Sequence, residues 1–261
     1  MCGICGIFKL NSQSFDIQSK IKAMADTMTP RGPDDYGHFC NSIGGLGFRR
    51  LSIIDLESGN QPIQNETGDY KLVFNGEIYN FKDLKSDLER KNHKFYTNSD
   101  SEVIIHLYEE YGADCVKYLR GMFAFSIWDL KNNKLFSSRD RFGIKPFYYY
   151  LKDGVFAFGS ELKSIKKVLH DNLTIDNSSI DTYFTYGYTM GSSTIYNEVK
   201  RLEAGHTLEL DLNVESHPVI KKYWKSSFLP NLNLNENELV DTIEKKLRDS
   251  IRSHLVSDVP V

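Results

Sequence analysis

The chain has 261 residues, 40% hydrophobic and 26% charged, with a net charge of −3 at pH 7. These values describe a globular protein with room for one large domain and part of another, and so small a charge leaves no electrostatic footprint for nucleic acid or a membrane surface. No basic leader with an apolar core opens the chain and no stretch nears the roughly 20 apolar residues of a membrane span, so the expected compartment is cytoplasmic.

In chain order, Cys2-Gly-Ile-Cys-Gly-Ile-Phe opens a strand over residues 3–9, a helical pattern follows at 19–28, and strand-like runs occupy 46–54 and 71–74. Helices are expected at 81–91, where Asn80 and Asp83 mark a start, and at 101–111 behind Asp100. Further strands at 122–128 and 134–138 are joined by Asp129-Leu-Lys-Asn-Asn, and strands at 147–150 and 155–158 by Lys152-Asp-Gly. Both connections read as hairpin turns. A helix at 161–170, helix and loop from 178 to 199, and a strand pair at 207–212 and 219–223 complete this part. Hairpins interrupted by helices indicate an α+β layered domain with mainly antiparallel sheets, not a doubly wound parallel sheet.

The polar, proline-containing stretch 226–233 reads as a linker. Behind it, Asn235 and Glu238 form a capping-box pattern, and Leu239, Ile243, Leu247, Ile251 and Leu255 recur every four residues. This is an amphipathic helix of roughly twenty residues whose apolar face has no partner within the sequence. The expected organisation is one domain over 2–212, a linker over 213–234, and the start of a second, truncated domain over 235–261.

Cys2 is the first candidate for chemistry. Removal of Met1 leaves a terminal cysteine whose α-amino group, with an ordinary pKa of about 7.7–8, is poised to take the thiol proton. A competing reading makes Cys2 a small apolar residue opening a strand. The Cys2/Cys5 spacing also matches dithiol and half-zinc motifs. A redox motif, however, follows a strand and opens a helix. Cys40 and Cys115 stand alone and none of the seven histidines is read as forming a close pair with another ligand, so no metal site is expected. Nor do four cysteines in so long a chain suggest a disulfide framework.

Four further segments join polar residues to tight-turn residues: Arg31-Gly-Pro-Asp-Asp, Arg49-Arg50-Leu-Ser-Ile-Ile-Asp, Asn75-Gly-Glu-Ile-Tyr-Asn and Asn98-Ser-Asp100. Each also has a plain explanation, since Asn-Gly makes turns, Asp caps helices and Arg50 suits a solvated strand.

Together with the cysteine, these segments resemble the class II glutamine amidotransferases, the N-terminal-nucleophile glutaminases, and most of all the glutaminase half of asparagine synthetases. The likeness continues through Gly121-Met-Phe-Ala-Phe125, Arg139-Asp-Arg-Phe-Gly-Ile-Lys-Pro146, Ser160-Glu-Leu-Lys163 and Ser257-Asp-Val-Pro260. It implies a four-layer αββα sandwich. It makes Cys2 the nucleophile toward the glutamine side-chain amide, and the Asn75 side chain with the Gly76 N–H the oxyanion site. Arg50 is implied for the substrate carboxylate and Asp100 with Glu77 for its ammonium. Leu51, Ser52, Ile53 and Ile54 would add backbone contacts along the strand, with Arg31 and Arg139 in supporting positions.

The resemblance implies no cofactor for glutamine hydrolysis. ATP and Mg²⁺ are expected only in a C-terminal synthetase domain, supplied in the same chain or as a separate one, which would turn aspartate into asparagine. L-glutamine is the expected small-molecule partner, and a homodimer is compatible with the sequence. Two alternatives stand beside this reading. The same glutaminase could feed another carboxylate or a sugar in a surface-polysaccharide pathway, or the fold could serve as a non-catalytic binding module. Retention of Cys2, Arg50, Asn75, Gly76 and Asp100 speaks against the second.

Overall fold

The structure is a computed structural model that describes residues 1–10, 14–56, 58–215, 217–229 and 235–259. One six-stranded antiparallel sheet contains β1 (Gly3–Lys9), β2 (Asp35–Cys40), β3 (Gly44–Arg50), β8 (Tyr148–Lys152), β9 (Val155–Gly159) and β10 (Val199–Arg201), in the order β10-β8-β9-β1-β3-β2. The other contains β4 (Ile63–Gln64), β5 (Tyr70–Ile78), β6 (Gly121–Asp129), β7 (Lys134–Arg139), β11 (His206–Asp211) and β12 (Val219–Lys222), in the order β12-β11-β7-β6-β5-β4. Helices α1 (Ile17–Asp26) and α4 (Leu162–Leu169) cover the first sheet, and α2 (Phe81–Arg90) and α3 (Glu102–Tyr111) cover the second. The fold is α+β, with the expected αββα layering.

Alternation along the strands produces these layers. In β1, Ile4 and Phe8 face the cluster between the sheets, whereas Cys5 and Ile7 pack beneath α1. In β6, Ala124 and Trp128 face the inter-sheet cluster, and Phe123, Phe125 and Ile127 face α3. Because these strands are buried on both faces, they read as near-continuous apolar runs. Phe8 and Trp128 meet edge to face at 4.9 Å between ring centroids across the sandwich.

Most expected elements are present, with three informative departures. The strand expected over 46–54 stops at Arg50, where Asp35 of β2 is its last partner and the ladder runs out. Leu51, Ser52, Ile53 and Ile54 therefore lie in a loop, not along a strand. The run expected over 71–74 continues to Ile78, because β6 pairs with β5 from Tyr70 to Ile78. Asn75 and Gly76 are thus inside a strand and not at its end. β2, without apolar alternation and only half-buried, was not legible in the sequence. The Lys152-Asp-Gly hairpin closes with positive φ at both Asp153 and Gly154, as a type I′ turn requires.

Two expected helix caps do other work. Asn80 donates from its side chain to the Tyr118 carbonyl and accepts from the Arg120 N–H, which ties the start of α2 to the approach to β6. Asp100 accepts the Ile78 N–H, so it fixes the end of β5 and does not cap α3.

α5 (Asn177–Tyr186) and α6 (Glu236–His254) complete the helices. α6 begins with the expected capping box between Asn235 and Glu238, and its apolar face is open, with Ile243 56% and Leu247 58% exposed. The expected linker over 226–233 lies partly outside the described residues. Within the stretch 213–234, Val219–Lys222 forms β12 and pairs with β11.

Candidate active site

A cavity of about 390 Å³ opens where β1, β3 and β5 bring together Cys2, Arg50, Leu51, Ile53, Ile54, Asn75, Gly76, Glu77 and Asp100. Of the residues expected at the site from sequence, Ser52 alone is absent from the lining. Its N–H is held by the Asp34 carboxylate on the outer side of the loop.

Cys2 enters the cavity directly ahead of β1. Its Sγ lies 3.6 Å from the Leu51 carbonyl and accepts from the Leu51 N–H at 3.5 Å. Arg31 fixes the backbone there: its Nε donates to the Cys2 carbonyl at 3.0 Å, and its Nη1 reaches Glu161 at 3.3 Å. Burial pushes the thiol pKa up, opposed by the Leu51 hydrogen bond. A thiol so placed needs a base to become a nucleophile. Met1 lines the mouth, donating its α-amino group to the Arg31 carbonyl at 3.0 Å, with its sulfur 3.5 Å from Lys145 Nζ.

The opposite wall belongs to β5. Asn75 is 1% exposed, and its Nδ2 has no hydrogen-bond partner among the described residues. A buried unpaired donor costs about 1–3 kcal/mol, so this amide is free to donate to a group that enters the cavity. At Gly76 a Cβ would come within 2.2 Å of the Met122 carbonyl oxygen, so only glycine allows β5 and β6 to pair this closely.

Charged groups also line the cavity. The guanidinium of Arg50, 5% exposed, donates to the carbonyls of Ile54, Asp55 and Leu56 and so braces the loop as well as facing the pocket. A Cβ on Gly59 would sit 2.5 Å from Arg50 Nη2 and 2.9 Å from the Asp55 carbonyl oxygen, so a side chain there would press on both the fork and the loop backbone. The loop is also pinned by Asp55, whose carboxylate accepts from the N–H groups of Ser58 and Asn98 and from the Ser58 hydroxyl. Burial pushes the Asp55 pKa up, but these hydrogen bonds outweigh it and hold the pKa below the usual carboxylate value. The C-terminal segment grips the same loop. Asp258 Oδ2 accepts the Asp55 N–H at 2.7 Å and the Asp258 N–H donates to the Ile53 carbonyl at 3.0 Å.

Asp100 is buried at the pocket floor. Loss of hydration raises its pKa to about 7; the Ile78 N–H opposes this and the nearby Glu77 charge adds to it. Glu77 is itself shifted up by burial. An arriving cation would relieve both carboxylates.

Sequence reasoning missed Lys145, which lines the cavity, is 5% exposed and has its pKa lowered by burial. The signal was available in the Arg139-to-Pro146 motif: Arg139 donates to the carbonyls of Lys145, Gly143 and Leu202 and so shapes the loop that carries Lys145. Gln61, Ser99 and Met122 also line the cavity unforeseen. Away from it, the fold overturns the reading that no histidine lies close to another ligand, because His93 and His106 meet beside Glu66 and Glu109. The spacing His106-x-x-Glu109 on a helix was the available sign.

Residues 1–224 match the family described as "Glutamine amidotransferase domain". Asparagine synthetase [glutamine-hydrolyzing] 1 of Bacillus subtilis is 38% identical over the whole of this chain and 41% of its own length. A putative asparagine synthetase [glutamine-hydrolyzing] 2 of Methanocaldococcus jannaschii is also 38% identical, over the whole chain and 53% of its length. The chain therefore spans about two-fifths to half of these relatives. Among solved structures, the glutamine phosphoribosylpyrophosphate amidotransferase of B. subtilis, complexed with ADP and GMP, superposes with a TM-score of 0.61 at 17% identity. That match covers 86% of this chain and 50% of the other, and concerns the fold.

Proposed function

This chain belongs to the glutamine amidotransferase domain family, and from that premise we propose that it hydrolyses L-glutamine to glutamate and ammonia through a thioester on Cys2. The observation that carries the mechanism is the unpartnered Nδ2 of Asn75, buried in the same cavity as the thiol. Excision of Met1 frees the Cys2 α-amine as the base and clears the mouth that Met1 lines. The amine takes the thiol proton as sulfur adds to the side-chain carbonyl of glutamine, and returns it to the departing ammonia. Charge building on the carbonyl oxygen meets Asn75 Nδ2 and the Gly76 N–H. Water then adds to the thioester with the amine again as base, and glutamate leaves.

The ends of the substrate select a free α-amino acid. Arg50 pairs with the carboxylate through its fork, and Asp100, with Glu77 beside it, takes the ammonium. Leu51, Ile53 and Ile54 border the substrate from the loop.

The relatives' names motivate the rest of the proposal: ammonia passes to a synthetase domain, in the same chain or a partner chain, that uses ATP and Mg²⁺ to convert aspartate to asparagine. No residue of this chain is assigned to that step. The division into 2–212, 213–234 and 235–261 and the cytoplasmic location belong to the same proposal. Among the described residues no helix is long and apolar enough to cross a membrane.

Two measurements test this. Intact mass should show Met1 removed from the active protein; full activity with Met1 retained rules out the terminal amine as base. In the protein extended through the synthetase domain, Cys2→Ala should abolish glutamine-dependent amide formation while ammonium salt still supports it. Equal failure with both nitrogen sources in a folded variant overturns the separation of the two sites.

A further inference from the structure

Outside the pocket, one nitrogen or oxygen from each of Glu66, His93, His106 and Glu109 falls within 4.8 Å of the others. Glu66 lies in the turn between β4 and β5, His93 follows α2, and His106 and Glu109 stand one turn apart on α3. His106 Nδ1 is 2.9 Å from Glu109 Oε2 and 3.7 Å from Glu66 Oε2. His93 Nδ1 lies 3.6 Å from the same Glu109 oxygen. The His106 side chain is fully buried, while His93, Glu109 and Glu66 are 12%, 20% and 23% exposed, so the cluster is closed inside and reachable from one side.

The far nitrogens supply a second, independent observation. His93 turns Nε2 to Glu110 Oε1 at 3.1 Å, and His106 turns Nε2 toward Glu102 Oε1 at 3.6 Å. Glu102 is in turn held by the N–H groups of Tyr96 and Thr97 and by the Thr97 hydroxyl. His93 thus aims one nitrogen into the cluster and backs the other with a carboxylate, the arrangement that orients histidines around a bound metal, while the buried His106 Nε2 faces the Glu102 carboxylate without a hydrogen bond among the described residues. Two imidazoles with two carboxylates suit zinc or cobalt; magnesium and calcium prefer oxygen ligands throughout. A divalent cation would also balance the two carboxylates that face the cluster.

We propose that Glu66, His93, His106 and Glu109 form a structural site for one zinc-class divalent cation, which ties the β4–β5 turn and the segment behind α2 to helix α3. Glu102, packed 3.6 Å from His106, holds residues 96–97, which lead directly into the segment carrying Ser99 and Asp100.

The test is titration of the tag-free, chelator-treated chain with Zn²⁺ by calorimetry in excess Mg²⁺, followed by Co²⁺ absorption. The expected result is one equivalent bound, a raised melting temperature, and a tetrahedral Co²⁺ spectrum without thiolate charge transfer. His93→Asn should weaken binding by about tenfold or more, the scale on which even outer partners act, while Cys2→Ala leaves it intact. Glu66→Gln, on a surface turn and still able to accept the Lys94 N–H, serves as the second variant if His93→Asn fails to fold. Absence of stoichiometric Zn²⁺ binding, or binding unchanged in the folded variants, overturns the proposal and leaves the cluster as a proton-balanced ion network.

Discussion

Asn75 and Gly76 sit inside a nine-residue strand paired with β6 along its whole length, whereas Leu51, Ile53 and Ile54 sit on a loop that leaves β3 where its ladder ends. On the strand side, the Gly76 N–H is fixed by the β5–β6 ladder and the Asn75 amide is packed at 1% exposure, so the geometry is set before substrate arrives. On the loop side, the contacts are side chain to backbone: Arg50 to the carbonyls of Ile54, Asp55 and Leu56, and Asp55 to Asn98. A substrate carboxylate can exchange for some of these. On the proposed reading, the difference gives oxyanion stabilisation to the rigid wall and carboxylate recognition to the adaptable one.

The comparison is broken most severely at Cys2, the proposed nucleophile. Cys2→Ala is expected to leave no measurable ammonia release from glutamine in a chain with unchanged circular dichroism; turnover near that of the parent would move the reaction elsewhere. Next, Asn75→Ala should lower kcat by about 10²–10³ with KM nearly constant, since its donor is used as charge builds on oxygen. A shift confined to KM would place Asn75 with the recognition groups.

On the loop side, Arg50→Lys should raise KM about tenfold or more, because a point charge replaces a planar fork at a charge-assisted contact worth about 1.5–3 kcal/mol. Its kcat should hardly change, and the reverse pattern would break the assignment.

Asp100 sharpens the same division through pH. With its pKa raised to about 7, it is protonated below that pH and cannot pair with an ammonium. KM for glutamine should therefore climb as pH falls below 7, by at most about tenfold per unit, and Asp100→Asn should flatten that rise. The sign for stability is opposite to that of an ion-paired carboxylate. A folded-state pKa above the unfolded value of 3.8 means the folded chain binds the extra proton, so stability is lost as pH rises from about 4 to 7. Asp100→Asn, which can still accept the Ile78 N–H, should gain most over the parent above pH 7 in urea unfolding and least near pH 4. The smallest effect is expected at Asp258→Ala, which removes one hydrogen bond to the loop at Asp55 and should raise KM by about two- to tenfold without touching kcat.

Much of this was legible in the residues. β1, the two hairpins and α6 follow from short-range rules: a short apolar run, turn residues that tolerate positive φ at Asp153 and Gly154, and the Asn235/Glu238 box. The candidate site was legible as a set of motifs, but not as a geometry. Lys145 escaped notice because a lysine in a polar loop gives no sign of burial, and β2 because an edge strand lacks apolar alternation.

By itself, then, the sequence determined which apolar runs are buried and where the hairpins turn, since both depend on neighbours a few positions apart. Only the tertiary structure decided which strands meet and where each ladder stops. Cys2 touches Leu51 across 49 positions of chain, and that contact exists because β1 and β3 pair in the register Gly3 to Arg49. The same is true of Asn75 inside the β5–β6 ladder and of His93 beside His106. Periodicity records the face a side chain shows; it carries no record of the partner that face will find.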